Sequence, residues 1–168
     1  LPALEADRRI VTETLPCGGV QPDEHSLSAV YRAKFHFSEI QAASRIKALL
    51  NAPRAIRQID VPKALEWVQD KLSITMAAKQ IEAVRSAVTN KVSVITGGPG
   101  TGKTTIIKAI LRICAPLTKR ILLAAPTGRA AKRMAETTGF EAKTIHRLLE
   151  YSMAHGGFQK NEDSPLNA

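Results

Sequence analysis

The octapeptide Gly97-Gly98-Pro99-Gly100-Thr101-Gly102-Lys103-Thr104 fits the pattern G-x-x-x-x-G-K-[ST] at every fixed position. Glycines at these places let backbone N–H groups close around a phosphate, where a side chain would block the approach or forbid a positive φ. Lys103 brings a point charge to the β- and γ-phosphates, and the Thr104 hydroxyl completes a magnesium shell. These two residues are the catalytic candidates, and Thr104 is the metal ligand. A β-branched run at residues 92–96 precedes the loop, and apolar residues at helical spacing follow it over residues 104–114. Strand, glycine loop and helix N-terminus in that order predict a nucleoside triphosphate site.

A second segment carries a different chemistry. Residues 120–125 read as a buried strand, which ends in Pro126-Thr127-Gly128-Arg129-Ala130-Ala131-Lys132-Arg133-Met134. A strand end that opens into a helix presents Thr127, Arg129, Lys132 and Arg133 in the first turns. A hydroxyl, backbone N–H groups and a guanidinium at a helix N-terminus grip phosphate. The same residues taken alone also fit a helix whose Ala130, Ala131 and Met134 pack while its charges are solvated. After a break at residues 137–140, residues 142–149 read as a further helix with Thr144 as its N-cap. His146 on that helix is either a contact to a nucleic-acid backbone or a structural residue. It has no partner at metal-ligand spacing, which argues against zinc.

The charge supports a polyanionic partner. The chain of 168 residues has a net charge of +9, from 24 basic and 15 acidic residues. Residues 1–90 hold 12 basic and 10 acidic side chains, and residues 91–168 hold 12 and 5. A basic excess concentrated around the two motifs suits nucleic acid or nucleotide phosphates, although a solvated basic face would look the same. Composition is ordinary for a soluble domain, at 44% hydrophobic and 23% charged. No stretch of 18 apolar residues predicts a membrane span, and the acid-containing opening LPALEADRRI is unlike a signal peptide. Cys17 and Cys114 are too few and too far apart for a disulfide framework or a zinc site, which fits a reducing cytoplasm.

Several elements must hold these motifs. Residues 1–6 are helix-like, residues 9–14 alternate like a strand, residues 16–23 are turn-rich, and residues 28–31 read as a returning strand. Apolar residues from Phe37 to Leu50 recur at helical spacing. Residues 61–72 form a second helix, opened by Pro62 and striped by Leu65, Val68 and Leu72; Trp67 lies off the stripe, where an aromatic can stack on a base but is more often a packing residue. Residues 76–88 form a third. The expected organisation is an accessory module over residues 1–72 and an α/β domain over residues 73–168.

Taken together, these segments resemble the RecD-like helicases, the exodeoxyribonuclease V alpha-chain family of superfamily 1. The resemblance is carried by the helix around Gln80, by residues 94–105, by residues 125–133 and by Thr144-Ile145-His146-Arg147-Leu148-Leu149-Glu150. It is continuous from about residue 72 to 151 and fainter over residues 30–50. The phosphate loop alone is widely shared; joined to the other two strings it is specific. The resemblance implies a RecA-like parallel sheet of the P-loop NTPase type, incomplete here, preceded by a small, mainly helical module with a hairpin. It implies ATP and magnesium as cofactors, bound by Gly98, Pro99, Gly100, Thr101, Gly102, Lys103, Thr104 and Thr105, with Gln80 on the adenine. It implies single-stranded DNA on Pro126, Thr127, Gly128, Arg129 and Lys132, and on Thr144 and His146. Other helicase–nuclease subunits are implied as partners, with 5′ to 3′ movement and a role in DNA repair or recombination. The family continues with an apolar strand ending in Asp-Glu and a second motor domain, so this chain reads as a fragment that is inactive alone. Other P-loop ATPases, of clamp-loader or kinase type, and a nucleotide- and DNA-binding module without turnover are the alternatives.

Overall fold

The computed structural model describes residue 7 and residues 9–15, 27–53 and 57–166. The chain divides into two compact units, residues 1–53 and residues 54–168. The helix expected over residues 1–6 and the turn over residues 16–23 lie outside the described residues.

In the first unit, β1 (Ile10–Leu15) and β2 (Leu27–Arg32) pair antiparallel, with Ile10 opposite Arg32 and Leu15 opposite Leu27. β-branched residues at Ile10, Val11, Thr12, Thr14 and Val30 suit such a pleated pair. Helix α1 (Ala33–Asn51) follows directly, and the Ala33 N–H donates to the Arg9 carbonyl at 3.0 Å. Its buried residues, Ala33 and His36, lie in the first turn. His36 Nε2 stands 2.6 Å from Glu13 Oε1, and its ring lies 5.3 Å from that of Tyr31. The helix is therefore pinned to the strands at one end. Farther along, Phe37, Ile40, Ile46, Leu49 and Leu50 are each about half exposed.

In the second unit, α2 (Val61–Leu72), α3 (Ala78–Thr89) and α4 (Lys103–Cys114) share a core of Leu65, Val68, Met76, Val84, Ile106, Ala109 and Ile113. Asp60 caps α2 by accepting from the Lys63 N–H at 3.2 Å, and Pro62 occupies the first turn. Gln69 Oε1 accepts from the Met76 N–H at 2.9 Å, which carries the chain across toward α3. The boundary expected near Leu72 thus falls inside this unit. The stripe of Leu65, Val68 and Leu72 is the surface on which α3 and α4 pack. Trp67, expected to pack, lies off that stripe and is 46% exposed.

Beyond α4, β3 (Leu123–Ala125), α5 (Gly128–Thr138) and β4 (Ala142–Thr144) form a strand–helix–strand crossover. The two strands run parallel, Leu123 opposite Ala142 and Ala125 opposite Thr144. Helix α5 packs on both strands and on α4, and ends at Gly139 with φ 75. Strand β4 corrects the reading of a helix from residue 142: ladder bonds to β3 override local propensity there, and helix α6 (Ile145–Leu148) begins where the pairing stops. A short antiparallel pair follows, β5 (Tyr151–Ser152) and β6 (Gly157–Phe158).

The α/β class holds, but the expected parallel sheet is represented by β3 and β4 alone among the described residues. Residues 92–96, read as a buried strand, join no ladder there; Ile95 packs on the core while Val94 is 85% exposed. A β-branched run becomes a strand only when a neighbour takes its backbone bonds. No helix among the described residues is long and apolar enough to cross a membrane.

Candidate functional site

The glycine loop ends as the N-terminus of α4. Gly100 has φ 75 and Gly102 has φ 83, left-handed values that strain any residue with a Cβ. Gly102 is the N-cap of α4, and its carbonyl accepts from the Ile106 N–H at 3.0 Å. The first N–H groups of the helix have no partner within the helix, and they add to the positive end of its dipole. Thr101 Oγ1 donates to the Gly98 carbonyl at 2.9 Å and tightens the loop. Lys103 Nζ donates to the Gly97 carbonyl at 2.6 Å and also to the Gly98 carbonyl. Its ammonium is held over the loop's own carbonyls, where phosphate oxygens can replace them as acceptors.

Gly98, Pro99, Gly100, Thr101 and Thr104 are exposed, and Thr105 is half-buried. This donor set fits a triphosphate: a glycine cradle open to solvent, a helix N-terminus and one ammonium. Among the described residues no group of three His, Cys, Asp or Glu could hold a metal ion. A magnesium ion at this loop would be held by the Thr104 hydroxyl and by the phosphates themselves.

Gln80 reaches the same loop. It occupies the N3 position of α3, where its Oε1 accepts from the Ala77 N–H at 3.0 Å. Its Nε2 donates to the Thr101 carbonyl at 3.1 Å. Nothing in the spacing of the two segments announces that bond; a Gln three residues into a helix signals only a cap.

The basic segment lies at the end of β3. Thr127 caps α5 by accepting from the Ala130 N–H at 3.3 Å, and Pro126, Gly128, Arg129, Lys132 and Arg133 are exposed. Lys132 lies 3.9 Å from Glu136. Thr144 ends β4 and caps α6, accepting from the Arg147 N–H at 3.1 Å. His146 joins an aromatic cluster, its ring edge-on to Tyr151 at 5.4 Å and tilted against Phe158 at 5.5 Å. The adjacent glycines Gly156, which ends the turn, and Gly157, which begins β6, lie between two aromatics and are the sequence signal that could have announced this hairpin. Cys114, half-buried on α4, is a free thiol whose pKa burial pushes up; Cys17 lies outside the described residues.

A glycine loop capping a helix, with a lysine folded over its carbonyls and a parallel β–α–β crossover in the same unit, is the arrangement of the P-loop class. The AAA domain family model matches residues 80–168, and the chain belongs to that family. It is 37% identical over 129 residues to the ATP-dependent RecD2 DNA helicase of Deinococcus radiodurans, covering 76% of this chain and 17% of that protein. It is 34% identical over 181 residues to the RecBCD enzyme subunit RecD of Haemophilus influenzae, covering 90% of this chain and 28% of that one. To the RecBCD enzyme subunit RecD of Mycobacterium tuberculosis it is 33% identical over 143 residues, 71% of this chain and 24% of the relative. The RecD-like resemblance read from the motifs is borne out. The chain spans between 17% and 28% of the length of these relatives.

Proposed function

We propose that this chain is the nucleotide-binding part of an ATP-dependent DNA helicase that works in DNA recombination or repair and moves 5′ to 3′ on single-stranded DNA. One observation carries the reading: the unit that holds the phosphate loop also sends two segments, residues 126–129 with Thr127 and Arg129 and residues 144–146 with Thr144 and His146, from the same ends of two parallel strands. In this reading Lys103 binds the β- and γ-phosphates of ATP, Thr104 holds magnesium, and Gln80 meets the adenine. Arg129, Lys132 and the Thr127 and Thr144 hydroxyls bind DNA phosphates, with His146 beside them.

The names of the relatives support this, since one is an ATP-dependent DNA helicase and others are subunits of an enzyme of several chains. Partner helicase–nuclease subunits and a cytoplasmic setting belong to the same proposal, as does a longer parent protein whose other segments complete the motor. The test uses the intact protein on duplexes bearing a 5′ or a 3′ single-stranded tail. Unwinding of the 5′-tailed substrate that needs magnesium-ATP and is lost in Lys103→Ala supports the reading. ATP turnover indifferent to DNA would instead favour another class of P-loop ATPase.

A further inference from the structure

We infer that Gln80 is a positioning residue for the phosphate loop, holding Thr101 in place for any triphosphate whatever its base. The inference rests on the nucleotide-site reading above and deepens it.

Both ends of the Gln80 amide are engaged by backbone. Oε1 takes the Ala77 N–H at 3.0 Å and so fixes the side chain against the start of α3. Nε2 gives a proton to the Thr101 carbonyl at 3.1 Å. Thr101 is held from its other side by its own hydroxyl, bonded to the Gly98 carbonyl at 2.9 Å. The loop is therefore clamped at Thr101, one residue before the cap of α4. Gly102 shows how closely the parts fit, because a Cβ there would run into Gln80 Nε2. The base of the clamp is firm, since α3 and α4 share Val84, Ile106 and Ala109 in one core.

The Thr101 carbonyl matters because the loop binds phosphate through N–H groups. A carbonyl freed to rotate can turn its oxygen toward the anion and its peptide N–H neighbour away. With two bonds made, the amide retains one N–H and one lone pair. Those remain available for the edge of a base, but the clamp needs no base to work.

The probe that separates the two roles is inorganic tripolyphosphate with magnesium, which has no base, titrated calorimetrically into the intact protein beside magnesium-ATP. Gln80→Glu keeps an oxygen for the Ala77 N–H but has no N–H for the Thr101 carbonyl. Gln80→Ala removes both bonds without adding charge. Both variants are expected to bind tripolyphosphate about fivefold to tenfold more weakly, the same factor as for ATP, with the melting temperature of Gln80→Glu unchanged. Affinity lost for ATP alone would make Gln80 a base reader only and overturn the inference. So would unchanged affinity for both, or losses that track a falling melting temperature. A wild-type protein that binds neither ligand would overturn the nucleotide-site reading itself, and this inference with it.

Discussion

Ala125 stands opposite Thr144 in the parallel pair of β3 and β4, so the chain leaves both strands on the same side. Just beyond that edge each chain segment enters a helix through a threonine cap, Thr127 before Gly128 and Thr144 before Ile145. The edge thus presents Arg129 and Lys132 from one helix start and His146 from the other. Single-stranded DNA held there should bind through phosphates, so affinity should fall steeply with salt. The log–log slope should be roughly −0.7 per phosphate contact, and Arg129→Ala should flatten it by about one contact. Fluorescence anisotropy of a labelled oligonucleotide across a salt series measures this; an unchanged slope in the variant would remove Arg129 from the contact set.

Lys103→Ala should abolish magnesium-ATP binding, because no other ammonium reaches the Gly97 and Gly98 carbonyls among the bonds described around this loop. The fold should survive: Lys103 opens α4 outside the core, and Ile106, Ala109 and Ile113 still pack. Titration calorimetry paired with circular dichroism separates the two effects. Retained ATP affinity would mean that the loop is not the triphosphate site.

The loop was legible in the sequence because its chemistry is local: eight consecutive residues dictate backbone shape, cap and charge. Helix α2 was legible for the same reason, through Pro62 and a clean apolar stripe, whereas its Asp60 cap is seen only in the structure. What was not legible depended on distant partners. Residues 142–144 have a mixed local preference, and pairing with β3 made them a strand. Residues 92–96 had the composition of a strand but no ladder among the described residues. The stripe on α2 announces burial without saying against what, and its partners α3 and α4 lie later in the chain. The Gln80–Thr101 bond spans 21 positions and leaves no pattern in either segment.

The place of α2 can be measured. Leu65 is 5% exposed in the shared core, and Leu65→Ala should cost about 2–5 kcal/mol. Phe37, on the open stretch of α1, is 58% exposed, and Phe37→Ala should change stability by no more than about 0.5 kcal/mol. Denaturant titrations of the two variants give both numbers. Equal effects would mean that the core does not lie between α2, α3 and α4.

Thr127 has a structural task beside its place in the basic segment. Its side chain accepts from the Ala130 N–H, so Thr127→Ala should cost about 1 kcal/mol, whereas Thr127→Ser should be near neutral. If Thr127→Ser keeps stability and also keeps DNA affinity, the hydroxyl and not the methyl is what both tasks use. A stable Thr127→Ala would show that the cap contributes nothing to α5.

The isolated 168-residue chain should turn over ATP negligibly even with nucleotide bound. Hydrolysis in this class needs a carboxylate beside the phosphate loop to hold magnesium and place the attacking water. The acids that follow α4 are Glu136, Glu141, Glu150, Glu162 and Asp163. Glu136 pairs with Lys132, Glu141 with Lys143 and Glu150 with Lys160, and all three are exposed. Glu162 and Asp163 lie in an exposed turn, where the Asp163 N–H donates to the Asn161 side chain. None of the five closes a strand, as a carboxylate aligned with the loop should. An arginine brought to the γ-phosphate by another domain can add roughly 10³–10⁵ in rate, so a longer chain should differ by orders of magnitude. Phosphate release by residues 1–168 and by the intact protein, each with and without single-stranded DNA, makes the comparison. Equal DNA-stimulated turnover in the two would place the catalytic acid within these 168 residues and end the reading of this chain as part of a larger motor.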